Sequence, residues 1–176
     1  VPLSATVVSG ASLQKDNIRD LQDLGSRIAN VRIASAPATE LLNIRGVGSG
    51  LSATFEQSVG TFVDDVYRGR SRSARAALFD VDHVEVLKEP QTTFFGNNAI
   101  AGALNITTRT PGRQFDYNAS ILHGSDGEYA YEAGVTVPID DTLSARLAAK
   151  AYGMDGYIEN DITGGKGPVR LRGCRA

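Results

Sequence analysis

Apolar and polar positions along the chain follow two different regimes, and the change falls near residue 112. The first part is mixed. Residues 4–9 (SATVVS) form a β-prone run closed by Gly10. From Ser12 to Ile28 the spacing turns helical: Leu21, Leu24 and Ile28 recur at i, i+3 and i+7 with Asp20, Asp23 and Arg27 on the other face, and a break is expected near Asn17. Residues 31–33 read as a strand, and residues 35–39 with Pro37 as a turn. Residues 41–50 (LLNIRGVGSG) run as a strand into Gly46, Gly48 and Gly50, and residues 61–70 (TFVDDVYRGR) read as two short strands about Asp64-Asp65. Residues 81–110 hold two β-rich runs, the first ended by Pro90, around a loop with Gly96, Asn97 and Asn98.

After Pro111-Gly112 the period becomes two. Phe115, Tyr117, Ala119 and Ile121 alternate with Asp116, Asn118 and Ser120; a second run continues from Tyr129 to Ile139 and a third from Leu143 to Tyr152. Short connections rich in turn formers join them, at Gly124-Ser125-Asp126-Gly127 and Asp140-Asp141. Three successive strands of about ten residues suit the wall of an up-and-down transmembrane barrel, and equally a β-meander with one buried face. From Gly164 the alternation lapses into GGKGPVRLRGCRA, with Lys166, Arg170, Arg172 and Arg175 and no acid. That change suggests a chain truncated or running out of frame there.

Composition narrows the classes. The 176 residues are 41% hydrophobic and 22% charged, as in a folded protein, and a formal net charge of -2 gives no basic field for nucleic acid. One cysteine, Cys174, allows neither an internal disulfide nor a multi-cysteine metal site. No apolar run approaches the roughly 20 residues of a membrane helix, which leaves membrane strands open. The chain begins Val1-Pro2, without an initiator Met or signal peptide, as though processing or truncation had removed what preceded it.

Candidate chemistry is sparse. The glycines after Asn43 do not keep the G-x-G-x-x-G spacing, since Leu51 stands where the third is needed. Asp64 and Asp65 are neighbours on opposite strand faces and poorly placed to share an ion. Asp80, Asp82 and His83 include a single imidazole, and His83 and His123 are the only histidines, so neither a metal site nor a nucleophile–base pair emerges. No enzyme and no cofactor is expected. In RGRSRSAR, Arg68, Arg70, Arg72 and Arg75 crowd together without an acid. This is either a solvated basic loop or an anion-attracting patch.

One stretch carries a family spelling. VEVLKEPQTTFFGNNAIAGALNITTRTP (residues 84–111) resembles the motif that closes the plug domain of TonB-dependent outer-membrane receptors: VEVL, a basic residue, GPQ, a spacer, FG, a variable residue, NA, then GGAINI and a polar run ending in Pro. NIRGVG resembles the plug's IRG strand, and TFVDDVY its YVDGVY segment. The resemblance covers nearly the whole chain. It implies an α+β plug, a small mixed β-sheet with short helices, over residues 1–112. Antiparallel hairpin strands of an incomplete transmembrane β-barrel would follow over 113–163, and a basic tail over 164–176. A barrel wide enough to hold a plug takes roughly 22 strands, so most of it is not in this chain.

The resemblance further implies energised uptake, in a Gram-negative outer membrane, of a scarce solute such as a siderophore, haem, cobalamin or an oligosaccharide. Its partners would be the TonB complex, the missing barrel portion, outer-membrane lipid and a small-molecule or metal-chelate ligand. Position by position it marks Arg45 and Lys88 as plug cations that pair with barrel carboxylates; it also implies that the arginine-rich loop faces the extracellular vestibule, where Arg68, Arg70, Ser71 and Arg72 are the candidate ligand contacts. No TonB box is recognisable. The chain departs from the pattern at Glu89 and Thr92, where glycine is usual, at Asn97, where a basic residue is common, and at Asp65, where glycine would ease a left-handed turn; the hairpin there is expected to be reshaped. The competing class is a soluble α+β small-molecule binding module with a β-meander tail.

Overall fold

The computed structural model describes residues 4–35, 40–48, 57–69, 78–90, 92, 99–155, 159–160, 165–166 and 169–175. The chain divides into two compact units, Val1–Arg109 and Thr110–Ala176.

The first unit opens with strand β1 (Ala5–Ser9) and two short helices, α1 (Gly10–Lys15) and α2 (Leu21–Arg27). Gly10 begins α1 rather than closing β1, because Ser9 caps the helix: its Oγ accepts from the Ser12 N–H at 3.2 Å. The expected break falls at Asn17, which takes a left-handed φ of 52°. Asp20 then caps α2, accepting from the Asp23 N–H at 2.8 Å. Leu21, Leu24 and Ile28 are all buried, as their spacing requires.

Strands β2 (Val31–Ser35), β3 (Glu40–Ile44) and β4 (Val47–Gly48) form one antiparallel sheet. Strands β5 (Val59–Val63), β6 (Val66–Tyr67), β7 (Val81–Leu87) and β8 (Gly102–Thr108) join β1 in a five-stranded sheet of order β1-β7-β8-β5-β6. It is mixed, since β5 and β8 run parallel and the other pairs antiparallel. The register of β7 on β8 slips between Val81 and His83, which leaves Asp82 as a bulge. The slip resets the alternation, so that Val81 and Val84, three apart, both face the core. That core is continuous through α1, α2 and both sheets, with Leu24, Ile44, Val59, Val84, Leu104 and Ile106 almost wholly removed from water.

Asp64-Asp65 makes a two-residue turn between Val63 and Val66, which pair directly. The hairpin closes there without glycine. Both aspartates accept positive φ, 50° and 63°, and Asp tolerates that region better than most residues. The Asp64 carboxylate also reaches β8, accepting from the Thr108 N–H at 2.7 Å and from its hydroxyl at 3.0 Å.

The second unit is an open antiparallel sheet. Strands β9 (Asp116–His123), β10 (Tyr129–Pro138) and β11 (Ser144–Met154) follow the expected alternation. After the small pair β12 (Glu159–Asn160) and β13 (Gly165–Lys166), strand β14 (Val169–Arg175) completes the order β14-β11-β10-β9. The segment in which the alternation lapses thus supplies an edge strand on β11. The described strands close no barrel.

One face of this sheet is apolar and open: Tyr117, Ile121, Tyr131, Val137 and Leu147 are exposed. The other is polar and bonded. Arg146 of β11 crosses β10 to donate to Thr136 Oγ1 at 2.9 Å and to Asn118 Oδ1 of β9 at 2.7 Å. Gly134 makes room for it, since a Cβ there would lie 2.6 Å from the guanidinium. Beside this group Lys150 Nζ stands 3.7 Å from Glu132.

Candidate functional site

The candidate site lies at the end of the first unit where β7 stops and β8 begins. Gly102, in the second half of the closing motif, shapes it. It has a φ of 142°, and a Cβ there would meet the Leu87 carbonyl and the Ile44 side chain. Only glycine lets Ile44 pack against the start of β8 so closely. Ile44 in turn delivers the next residue, Arg45, to the segment that follows β7.

Arg45 occupies the β3–β4 turn with a φ of 53°, followed by Gly46 at 82°. Its N–H donates to the Asn30 carbonyl at 2.8 Å, fixing the turn to the corner after α2. Its Nη1 stands 4.0 Å from Glu89 Oε1, with the side chains 48% and 28% exposed. Lys88 is half-buried, and its N–H donates to the Ser4 carbonyl at 3.0 Å. The structure therefore brings Arg45 to the residue beside Lys88. The residue that departs from the family's glycine is the one that meets the arginine.

An open depression of about 590 Å³ adjoins Arg45, lined by Asn30, Val31, Arg32, Asn43, Arg45 and Gly46. Gly48 helps to form it: Asn43 and Gly48 are cross-strand partners, and the Asn43 carboxamide occupies the space a Cβ at 48 would fill. Two guanidinium groups and two carboxamides on one small sheet suit an anion. Sequence reasoning missed Arg32 and Asn43, which surround Arg45 only once β2 pairs with β3, although Asn43-Ile44-Arg45-Gly46 held a signal in its turn chemistry.

Arg68 is exposed, and its N–H extends the β5–β6 pairing by donating to Thr61 at 2.8 Å. The chain there heads away from the Asp64-Asp65 turn, toward the end that holds Arg45 and Lys88. Arg70, Ser71 and Arg72 lie outside the described residues, as do Gly50 and the Gly96–Asn98 loop. At the opposite end His83 Nδ1 sits 2.8 Å from Asp82 Oδ2 and its Nε2 3.9 Å from Glu85. No group of three or more metal-ligating side chains occurs among the described residues.

A family model described as the TonB-dependent Receptor Plug Domain matches residues 1–103. The chain belongs to this family. The iron-regulated outer membrane virulence protein of Vibrio cholerae serotype O1 is 26% identical over 182 residues, covering 97% of this chain and 28% of that protein. The vitamin B12 transporter of Vibrio vulnificus is 21% identical over 160 residues, 90% of this chain and 26% of the transporter. The crystal structure of the ferric yersiniabactin uptake receptor from Yersinia pestis superposes on 96% of this chain and 27% of its own, with a TM-score of 0.81 and 27% identity.

The chain spans about a quarter of the length of these relatives. The fold is that of the TonB-dependent receptors: an α+β plug followed by antiparallel wall strands. The family's place is the Gram-negative outer membrane. Its members are receptors and transporters rather than enzymes.

Proposed function

We propose that this chain is the plug and first wall strands of an outer-membrane receptor for TonB-energised uptake of a scarce solute of the siderophore, haem, cobalamin or oligosaccharide class. It is a fragment that does not transport alone. Residues 1–112 act as the plug, 113–163 as the first barrel strands and 164–176 as a basic tail. The observation that carries this reading is the second unit's sheet, which exposes Tyr117, Ile121 and Leu147 on one face and holds its bonded polar groups on the other. A water-soluble meander would bury the apolar face; lipid removes the conflict.

In this reading Arg45 and Lys88 pair with carboxylates of the barrel portion, and Lys88, half-buried where Arg45 is exposed, gives up more water to reach its partner. Arg68, Arg70, Ser71 and Arg72 meet an anionic group of the ligand by charge-assisted hydrogen bonds. Loading shifts the plug between states that differ in how they present themselves to the TonB complex. The test is growth of iron- or cobalamin-starved cells carrying the full-length reading frame, on ferric siderophores, haem or cobalamin, with and without TonB. Growth on one solute that vanishes without TonB is expected. Growth indifferent to TonB on every solute would overturn the reading.

A further inference from the structure

The Arg45–Glu89 pair carries an inference beyond that reading, and rests on it for one point: that Arg45 meets a carboxylate outside the plug. Arg45 is built to be presented. Its turn takes two successive left-handed residues, a backbone bond holds that turn to Asn30, and Ile44 is locked under Gly102. Among the described residues, the depression beside it is lined by Arg32, Asn30 and Asn43 and by no acid. Among the described residues, the carboxylate that stands against the guanidinium is the plug's own Glu89, at 4.0 Å.

We propose that Glu89 is a resident counter-ion for Arg45 that competes with any incoming carboxylate for the same guanidinium. Glu89 is a positioning residue: it orients Arg45 and lowers its availability rather than contacting the partner. Both side chains retain solvent access, so the pair is weak enough to be displaced and strong enough to weaken a rival. An external carboxylate bound to Arg45 competes with Glu89 for the guanidinium's charge, and Arg32 and Asn43, which line the depression with Arg45, offer further donors to the incomer. The occupant is a polypeptide-borne acidic side chain, because the depression is open and its donors are spread over β2, β3 and the turn instead of converging as a small anion would require.

The experiment uses the 176-residue chain in detergent micelles, with a hexaglutamate peptide as the probe and the arginine Nε–H resonances as the readout. Glu89→Gln is expected to shift the Arg45 resonance and tighten hexaglutamate binding about two- to five-fold, the range of an exposed ion pair, with the gain shrinking at high salt. Glu89→Asp should retain the wild-type affinity. Asp65→Asn, which removes an equal charge from the far turn, should leave affinity unchanged. In an Arg45→Gln background, Glu89→Gln should change nothing. The proposal is overturned if Glu89→Gln leaves the Arg45 resonance in place, if it shifts that resonance without tightening the peptide, or if the tightening persists without Arg45. The parent reading fails separately: Arg45→Gln in the full-length receptor would then leave the plug seated in the barrel as firmly as before, whatever the peptide titrations of the Glu89 variants show.

Discussion

The two units place the same apolar residues in opposite surroundings. In the plug, Leu24 is fully buried and Leu104 is 1% exposed. In the wall sheet Leu147 is 53% exposed and Ile121 75%, while Thr136 is 2% exposed. An exposed leucine is unremarkable singly; a contiguous apolar face over three strands is an interface. The lesson is that equal composition in the two halves hides an inversion, which appears only when burial is read against strand register. The first unit closes its apolar side chains into a core, whereas the second leaves one apolar face exposed and bonds its polar face internally.

The sharpest way to break that contrast is one substitution made twice. Leu24→Ala in the plug core should cost about 3 to 5 kcal/mol in denaturant unfolding. Leu147→Ala on the wall sheet should cost within about 0.5 kcal/mol in water, rising in detergent micelles. A loss above about 2 kcal/mol at Leu147 in water would mean that protein covers this face.

Two glycines sharpen the contrast further. Gly102→Ala forces a Cβ against the Leu87 carbonyl at a φ of 142°, and a combined strain and overpacking cost of about 3 kcal/mol is expected. Gly134→Ala meets the far end of Arg146, which can swing aside at the expense of its bonds to Thr136 and Asn118, about 1 to 2 kcal/mol. Unfolding midpoints would rank them. If Gly134→Ala proved as damaging as Gly102→Ala, the Arg146 bridge would be as rigid as the plug backbone.

Much of this was legible in the sequence where the information is local. The helix break at Asn17, the strands flanking the closing loop and the period-two wall all follow from spacing and from residues with special backbone preferences. What stayed hidden is set by pairing between distant segments. Arg45 and Glu89 meet only because Gly102 admits Ile44; Arg146 finds Asn118 only across the register of β10. The hairpin at Asp64-Asp65 turns without glycine because both aspartates take positive φ, and Asp64 is anchored 44 residues away on Thr108. Asp64→Ala should therefore cost about 1 to 3 kcal/mol, with Asp64→Asn milder because Asn keeps both an acceptor and a tolerance for positive φ. Equal effects of the two would remove the anchor from this account.

The smallest effect expected is also a test of the wall's connections, which must hold their shape without a core beneath them. At the β10–β11 turn one Asp140 oxygen accepts from the Thr142 N–H at 2.7 Å, the Thr142 hydroxyl at 2.8 Å and the Leu143 N–H at 2.8 Å. The backbone bond from Thr142, then its hydroxyl, then the Leu143 N–H hold the carboxyl below the ordinary value of 3.8. With the folded value depressed, the unfolded chain binds the proton more readily. The turn's contribution is therefore fully present above the unfolded value and is lost as pH falls through the lower folded one. Asp140→Ala should thus lower the second unit's stability at pH 7, and by less once the carboxyl is protonated in the folded as well as the unfolded chain, measured as paired unfolding curves in micelles across that window. A difference that persisted unchanged into strong acid would show that the charge contributes nothing and that side-chain shape alone sets the turn.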